Sequence, residues 1–253
     1  LGFKGLTERE LVNKQMKIND TMKYSRNTNL HLQLYDILKY RITYQGYIRS
    51  DKQKDNLNDL ILSELNLIAN SSYKGFEAKK LHLLFQATYY LNIGNYKSAI
   101  RFYQELITLF ESNQHLILNP PIYYLSAIRG VLDSLHMAGL YREMPFFIER
   151  LEKIQQGNYA TEFLLEISAC IYLYEQASLI NTGKFEAAQK SLNKYEDCLI
   201  KKIGLLRLET QLKVYLSIAI LHLCLGETDR ARKSMKKIFS SGKLFYALPS
   251  YKT

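Results

Sequence analysis

Apolar residues recur at spacings of three and four along most of the chain, the period of an α-helix with one buried face. The stretch "GFEAKKLHLLFQATYYLNI" (75–93) predicts a first helix A, with apolar positions at Leu81, Leu84, Phe85, Tyr89 and Leu91. After Gly94 and Asn95, "YKSAIRFYQELITLF" (96–110) predicts a helix B striped by Ala99, Ile100, Tyr103, Leu106, Ile107 and Phe110. Gly94 marks the turn, because a residue without Cβ takes the left-handed conformation that ends a helix. Tyr96 then folds over the turn, and Ala99 is small enough for helix B to approach helix A closely.

This punctuation returns at Gly139, Gly183 and Gly226, at intervals of 45, 44 and 43 residues. The residues matching Tyr96 and Ala99 are Tyr141 and Met144, Phe185 and Ala188, and Thr228 and Ala231. One or two turns on, the inward positions are Ile107 or Leu106, Leu151, Tyr195 and Ile238. "NPPIYY" predicts Asn119 as a cap with Pro120 in the first turn of the second A helix. Thr161 and Glu162 open the third, and "KKIGLLRLETQLKVYLSIAILHLCL" (201–225) is the fourth. These A helices are apolar nearly all round, which predicts cover on more than one side.

Residues 1–72 fit the pattern less well. "LQLYDILKYRITYQGYIR" and "NLNDLILSELNLIAN" read as a degenerate helix pair, with Gly46 standing 48 residues before Gly94 and Tyr47 directly after it. Ahead of them "LTERELVNKQMKINDTMKY" reads as an amphipathic helix with Thr7 as its cap. The expected architecture is a single all-α helical-repeat solenoid over 1–253, with degenerate N-terminal helices at 1–72 and about four antiparallel hairpins at 73–253. The opening "LGFKG", without an initiator Met, suggests a fragment of a longer array.

Within the first unit, Tyr90, Gly94, Tyr96, Ala99 and Tyr103, with the small Ala87 inside the hairpin, resemble the core of the tetratricopeptide repeat. The likeness extends to the units around Gly183 and Gly226 and is poorest around Gly139, where Met144 and Pro145 replace an Ala-Ile pair. The period of about 44 departs from the ~34 residues of that repeat and falls in the ~40–47 range of HEAT and armadillo units. The resemblance covers roughly residues 73–240 and implies a right-handed superhelix that binds protein segments, without catalytic chemistry.

Composition narrows the setting. The high Lys, Asn, Ile and Tyr content suggests an AT-rich, bacterial gene. The longest apolar stretch, Val214 to Gly226, is shorter than the ~20 residues a membrane helix needs and is broken by Ser217 and His222. No membrane span is therefore expected. Cys170, Cys198 and Cys224 lack disulfide or metal spacing and read as reduced, mostly buried thiols of a cytoplasmic protein. Of the 34 Lys/Arg and 24 Asp/Glu, residues 59–225 hold 16 of each, so the excess of +10 sits at the two ends. A solenoid that binds nucleic acid should instead carry a basic stripe along its repeats.

Phosphate-loop, zinc-protease, nucleophile-elbow and paired-cysteine motifs are absent from the sequence, so no catalytic, metal or cofactor site is assigned. His222, inside an apolar helix, reads as a hydrogen-bonded interior histidine. Ser126, Arg129, Asp133 and His136 recur at spacings of three and four and make one polar face on the second A helix, where Arg129 is placed to pair a partner's carboxylate. An ordinary solvated face with an Arg129–Asp133 ion pair is the alternative. Arg232, Lys233, Lys236 and Lys237 make the last B helix basic, a second candidate patch. Leu244, Phe245, Tyr246 and Leu248 leave the C-terminal end without a polar cap, so this segment is expected to pack back, to continue into a longer array, or to self-associate with another copy. The expected role is a protein or peptide scaffold; a peptide- or ligand-sensing domain of a bacterial regulator is the rival, with a nucleic-acid binder behind it.

Overall fold

The computed structural model describes residues 8–45, 50–55, 57–70, 75–117 and 120–240. Helices account for nearly all of these residues, and no strand occurs among them. Three N-terminal helices, α1 (Glu8–Gln45), α2 (Asp51–Asp55) and α3 (Asn58–Asn70), precede four hairpins. The A helices are α4 (Phe76–Asn92), α6 (Ile122–Met137), α8 (Thr161–Asn181) and α10 (Leu208–Cys224). Their B partners are α5 (Tyr96–Glu111), α7 (Met144–Gln155), α9 (Phe185–Tyr195) and α11 (Thr228–Ser240).

All four turn glycines adopt φ between +73° and +81°, the left-handed region. In each turn the N–H of the following residue reaches back five positions: Asn95 to the Tyr90 carbonyl, Leu140 to Leu135, Lys184 to Leu179 and Glu227 to His222, at 2.8–2.9 Å. This bond satisfies a carbonyl that the helix end would otherwise strand. Beyond the glycine, Ala99, Met144 and Ala188 are fully buried and Ala231 nearly so. Asn95 caps α5 by accepting the Ser98 N–H at 3.2 Å.

From α4 onward each helix packs on its neighbour in sequence, α1 packs on α3 and α4, and the A helices also pack on one another, α4 on α6, α6 on α8 and α8 on α10. One hydrophobic core therefore runs from Tyr35 to Leu221. Between the first two hairpins Gly130 seats the Tyr103 ring, so close that an added Cβ would lie 2.2 Å from Tyr103 Cζ. Phe110 meets Phe76 and Tyr124 edge-on at 5.7 and 5.8 Å, bridging the same hairpins. Glu111 joins them from outside, accepting from Tyr124 Oη and Arg150 Nε.

Several sequence expectations are corrected. The two segments predicted before and after residue 30 form one 38-residue helix, α1, because no Gly or Pro interrupts them. Thr7, Gly46 and Tyr47 lie outside the described residues, as does Asn119. The second A helix is preceded by both prolines, with Pro121 at its N-cap position; a proline disfavours the helical region for the residue before it, so Pro120 stays outside. The fourth A helix begins at Leu208 rather than near 201, after a 3-10 segment Ile200–Leu205 and extended backbone at Leu206 and Arg207. Cys170 is buried, but Cys198 and Cys224 are exposed; all three are free thiols. His222 does donate or accept at Glu227 Oε2, 2.7 Å away, from a buried position.

By length and composition α8 is apolar enough to cross a membrane, which the sequence reading did not single out. It packs against α6, α7, α9 and α10 and buries Ser168, Gln176 and Ser178 with hydrogen bonds to Leu164, Ala188 and Tyr141 carbonyls respectively.

Candidate partner-binding surface

Three A helices place polar side chains together where α6, α8 and α10 run side by side. Tyr174 of α8 donates its hydroxyl to Asp133 Oδ1 of α6 at 2.8 Å and lies 3.4 Å from the Arg129 carbonyl oxygen. Burial pushes the Tyr174 hydroxyl well above its usual pKa, and the Asp133 charge adds to this, so it remains a donor. Cys170, one turn earlier on α8, is a buried thiol whose pKa burial likewise raises. The proximity of Cys170, then of Tyr174 and Asp133, holds the Arg129 guanidinium more firmly protonated against the cost of its burial.

The cluster continues onto α10. Lys213 and Glu209 pair at 2.6 Å, one helical turn apart. Burial opposes the charge on each, yet their mutual hydrogen bond wins, lowering the Glu209 pKa and raising that of Lys213. The charges of Arg129 and Asp133 reach both α10 groups or one of them: Arg129 acts on Glu209 and Lys213, and Asp133 on Lys213. Beside them Glu166 of α8 accepts the Arg207 N–H at 3.1 Å, the Arg207 guanidinium at 3.3 and 3.4 Å, and Thr210 Oγ1 at 3.1 Å. Burial raises the Glu166 pKa, but the Arg207 bonds outweigh it and leave it lowered. These bonds also hold the extended Leu206–Arg207 segment that sets the start of α10.

Of the four sequence-predicted residues, Arg129 and Asp133 enter this cluster. Ser126 is exposed on the same helix. His136 instead turns toward its own hairpin, meeting the Tyr141 ring edge-on at 5.6 Å, and its Nδ1 is buried without a hydrogen-bond partner. The Arg129–Asp133 ion pair of the alternative reading does not form among the described residues, because Asp133 is turned to Tyr174. Tyr174, Cys170, Glu166, Glu209 and Lys213 were missed. Counting from the turn glycines identifies most of them: Glu166 and Glu209 each stand seventeen residues before their glycine, and Ser126, Cys170 and Lys213 each stand thirteen before theirs.

The basic residues of α11 are exposed and partly paired within the helix. Arg232 contacts Asp229 at 3.4 Å, and Lys237 lies over the Tyr215 ring at 5.5 Å. Lys233 and Lys236 point to solvent as well. Leu244, Phe245, Tyr246 and Leu248 lie outside the described residues. Among the described residues no group of three or more His, Cys, Asp or Glu is arranged to hold a metal ion.

Residues 83–113 match the family model of the tetratricopeptide repeat. The match spans most of α4, the Gly94 turn and all of α5. No curated protein and no solved structure matches the chain. The repeat match over 83–113 and the succession of helices among the described residues agree on an all-α, tetratricopeptide-like helical-repeat protein.

Proposed function

We propose that this tetratricopeptide-like helical-repeat protein is a non-catalytic scaffold that takes an extended peptide or partner helix across the concave face of its A helices. Tetratricopeptide repeats serve protein–protein interaction in general, and the finer assignment rests on one observation: charged groups from α6, α8 and α10 converge in a single cluster. Arg129, Asp133, Glu166, Glu209 and Lys213 span three repeats, so a segment lying across the helices would meet all of them. Exposed Ile220 and Leu223 continue along α10, supplying apolar contact beside the polar anchors, the combination expected of peptide recognition. Arg129 is the anchor proposed for a partner carboxylate, as the charge-assisted bond most able to fix register. Placement in the cytoplasm belongs to the same reading.

The test is affinity capture with the chain and with an Arg129→Glu, Asp133→Lys variant, followed by direct binding of the captured species. The expected result is a protein retained by the original chain and lost by the variant, with helical content unchanged. Equal retention by both rejects the α6 anchors. Salt-sensitive retention of nucleic acid, abolished by Lys233→Glu with Lys236→Glu, moves the role to the α11 patch.

A further inference from the structure

The N-terminal helices are attached to the first hairpin differently from the way the hairpins attach to each other. The α3 segment buries Leu57 and Leu60 but leaves Leu62 and Leu65 61% and 52% exposed. In the middle of α3 lies Glu64, whose side chain is entirely buried. Its carboxylate accepts the Gln86 amide and bonds to Nδ1 of His82, both from α4. From α1 comes His31, 2% exposed and close enough to feel the charges of both Glu64 and His82. A buried carboxylate persists only when paired and hydrogen-bonded, so this polar knot is the specific contact within a junction that also buries Leu38 and Leu57.

We infer that His31, Glu64 and His82 form an acid-sensitive latch, which loosens α1 and α3 from α4 on mild acidification while the later hairpins remain folded. The elements packed on α1 are α3 and α4, and the titratable groups they present to His31 are Glu64 and His82. Burial, with a smaller contribution from His82, lowers the His31 pKa against the opposing pull of Glu64. The released chain therefore binds a proton more readily than the docked one. The stabilisation from a neutral His31 is complete above the ordinary value of 6.5 and is lost as pH falls from there through the docked value. Protonation places a positive charge on a side chain that is 2% exposed, beside a carboxylate already engaged by His82 and Gln86. Opening uncovers the α4 surface that Tyr35 and Leu38 now cover, a surface available to a partner only in the acidified state.

Hydrogen exchange of the full chain, read by mass spectrometry at pH 7.5, 6.5 and 5.5 with labelling times scaled to the intrinsic rate, tests the latch. Opening of 28–42 and 58–70 should grow roughly threefold or more between the extremes, while 161–181 and 208–224 stay unchanged. His31→Leu should abolish the response. Glu64→Gln should enlarge it, since Glu64 is the group that favours a charged His31. A flat profile, uniform opening of the whole chain, or an acid response that survives in His31→Leu overturns the inference. Should His31→Leu fail to fold, Glu64→Gln decides: a response equal to or smaller than that of the original chain is the overturning result.

Discussion

The hairpins α4–α11 and the N-terminal helices α1–α3 contain similar residues but are held together by different means. In the hairpins, every A helix is locked to its B helix by a left-handed glycine turn and a five-residue back-bond, and side chains such as Leu106, Leu132 and Leu151 are entirely buried. In the N-terminal part, α1 runs 38 residues and leaves Met16, Ile18 and Met22 half or more exposed, and its junction with α3 and α4 centres on a buried carboxylate. The difference teaches that the same helical period supports two kinds of adhesion. One is set by volume and turn geometry, and the other adds a buried charge to the apolar contacts of Leu38, Leu57 and Leu60.

The largest effect expected is therefore a loss of volume in the hairpins with no equivalent outside them. Leu132→Ala removes a fully buried side chain and should cost about 2–5 kcal/mol in urea denaturation. Leu62→Ala, at a position 61% exposed, should change stability by less than about 0.5 kcal/mol. Similar losses at both sites would break the comparison. Overpacking gives the next largest effect: Gly130→Ala drives a methyl into the Tyr103 ring and should cost about 1–3 kcal/mol. Gly130→Ala combined with Tyr103→Leu should recover part of that loss, because the ring is the obstacle.

Much of this division was legible in the sequence, and the reasons are local. Gly94 followed by Tyr96 and Ala99 encodes turn, cover and close approach within six residues, so the hairpins could be read without knowing their neighbours. The fusion of two predicted N-terminal segments into α1 followed from an absence, since nothing between them stops a helix. The start of α10 was unreadable, because it depends on Glu166 reaching Arg207, 41 residues away. The candidate surface was half legible for the same reason. Arg129 and Asp133 share a helix face, whereas Tyr174, Glu209 and Lys213 join them only through packing of successive A helices. His136 fits the helical spacing of the predicted face, yet its ring is claimed by Tyr141.

Two smaller perturbations sharpen the contrast within the hairpins. Gly183 has φ +74° with no atom within 4 Å of where a Cβ would sit, so Gly183→Ala isolates backbone strain from packing. The expected loss is about 1–2 kcal/mol, and an equal loss on Gly204→Ala, which carries no positive φ, would show that the turn conformation is not the cause. Tyr174→Phe removes the hydroxyl that Asp133 accepts and should cost about 0.5–1.5 kcal/mol. The same change frees Asp133 to approach Arg129, so partner capture through Arg129 should weaken in Tyr174→Phe even where the fold survives.

The smallest effect expected is electrostatic and carries a definite sign. Glu209 has a lowered pKa because its bond to Lys213 outweighs burial, with Arg129 and Arg207 adding to it. The unfolded chain therefore takes up a proton at this position before the folded chain does. Stability from the pair is present above the ordinary carboxylate value of 4.5 and is lost as pH falls from there through the folded value. The side chains are 60% and 40% exposed, so water screens the pair and its worth is at most about 0.5 kcal/mol. Glu209→Gln should lower the plateau above pH 4.5 by about that small amount and leave the acid end unchanged, so that the limb below pH 4.5 is correspondingly flatter. The latch at the other end of the molecule acts in a separate window, beginning at pH 6.5. A profile in which Glu209→Gln alters the limb between pH 6.5 and 5.5 would mean that the two regions do not titrate independently, because a charge on α10 would then govern a junction built from α1, α3 and α4.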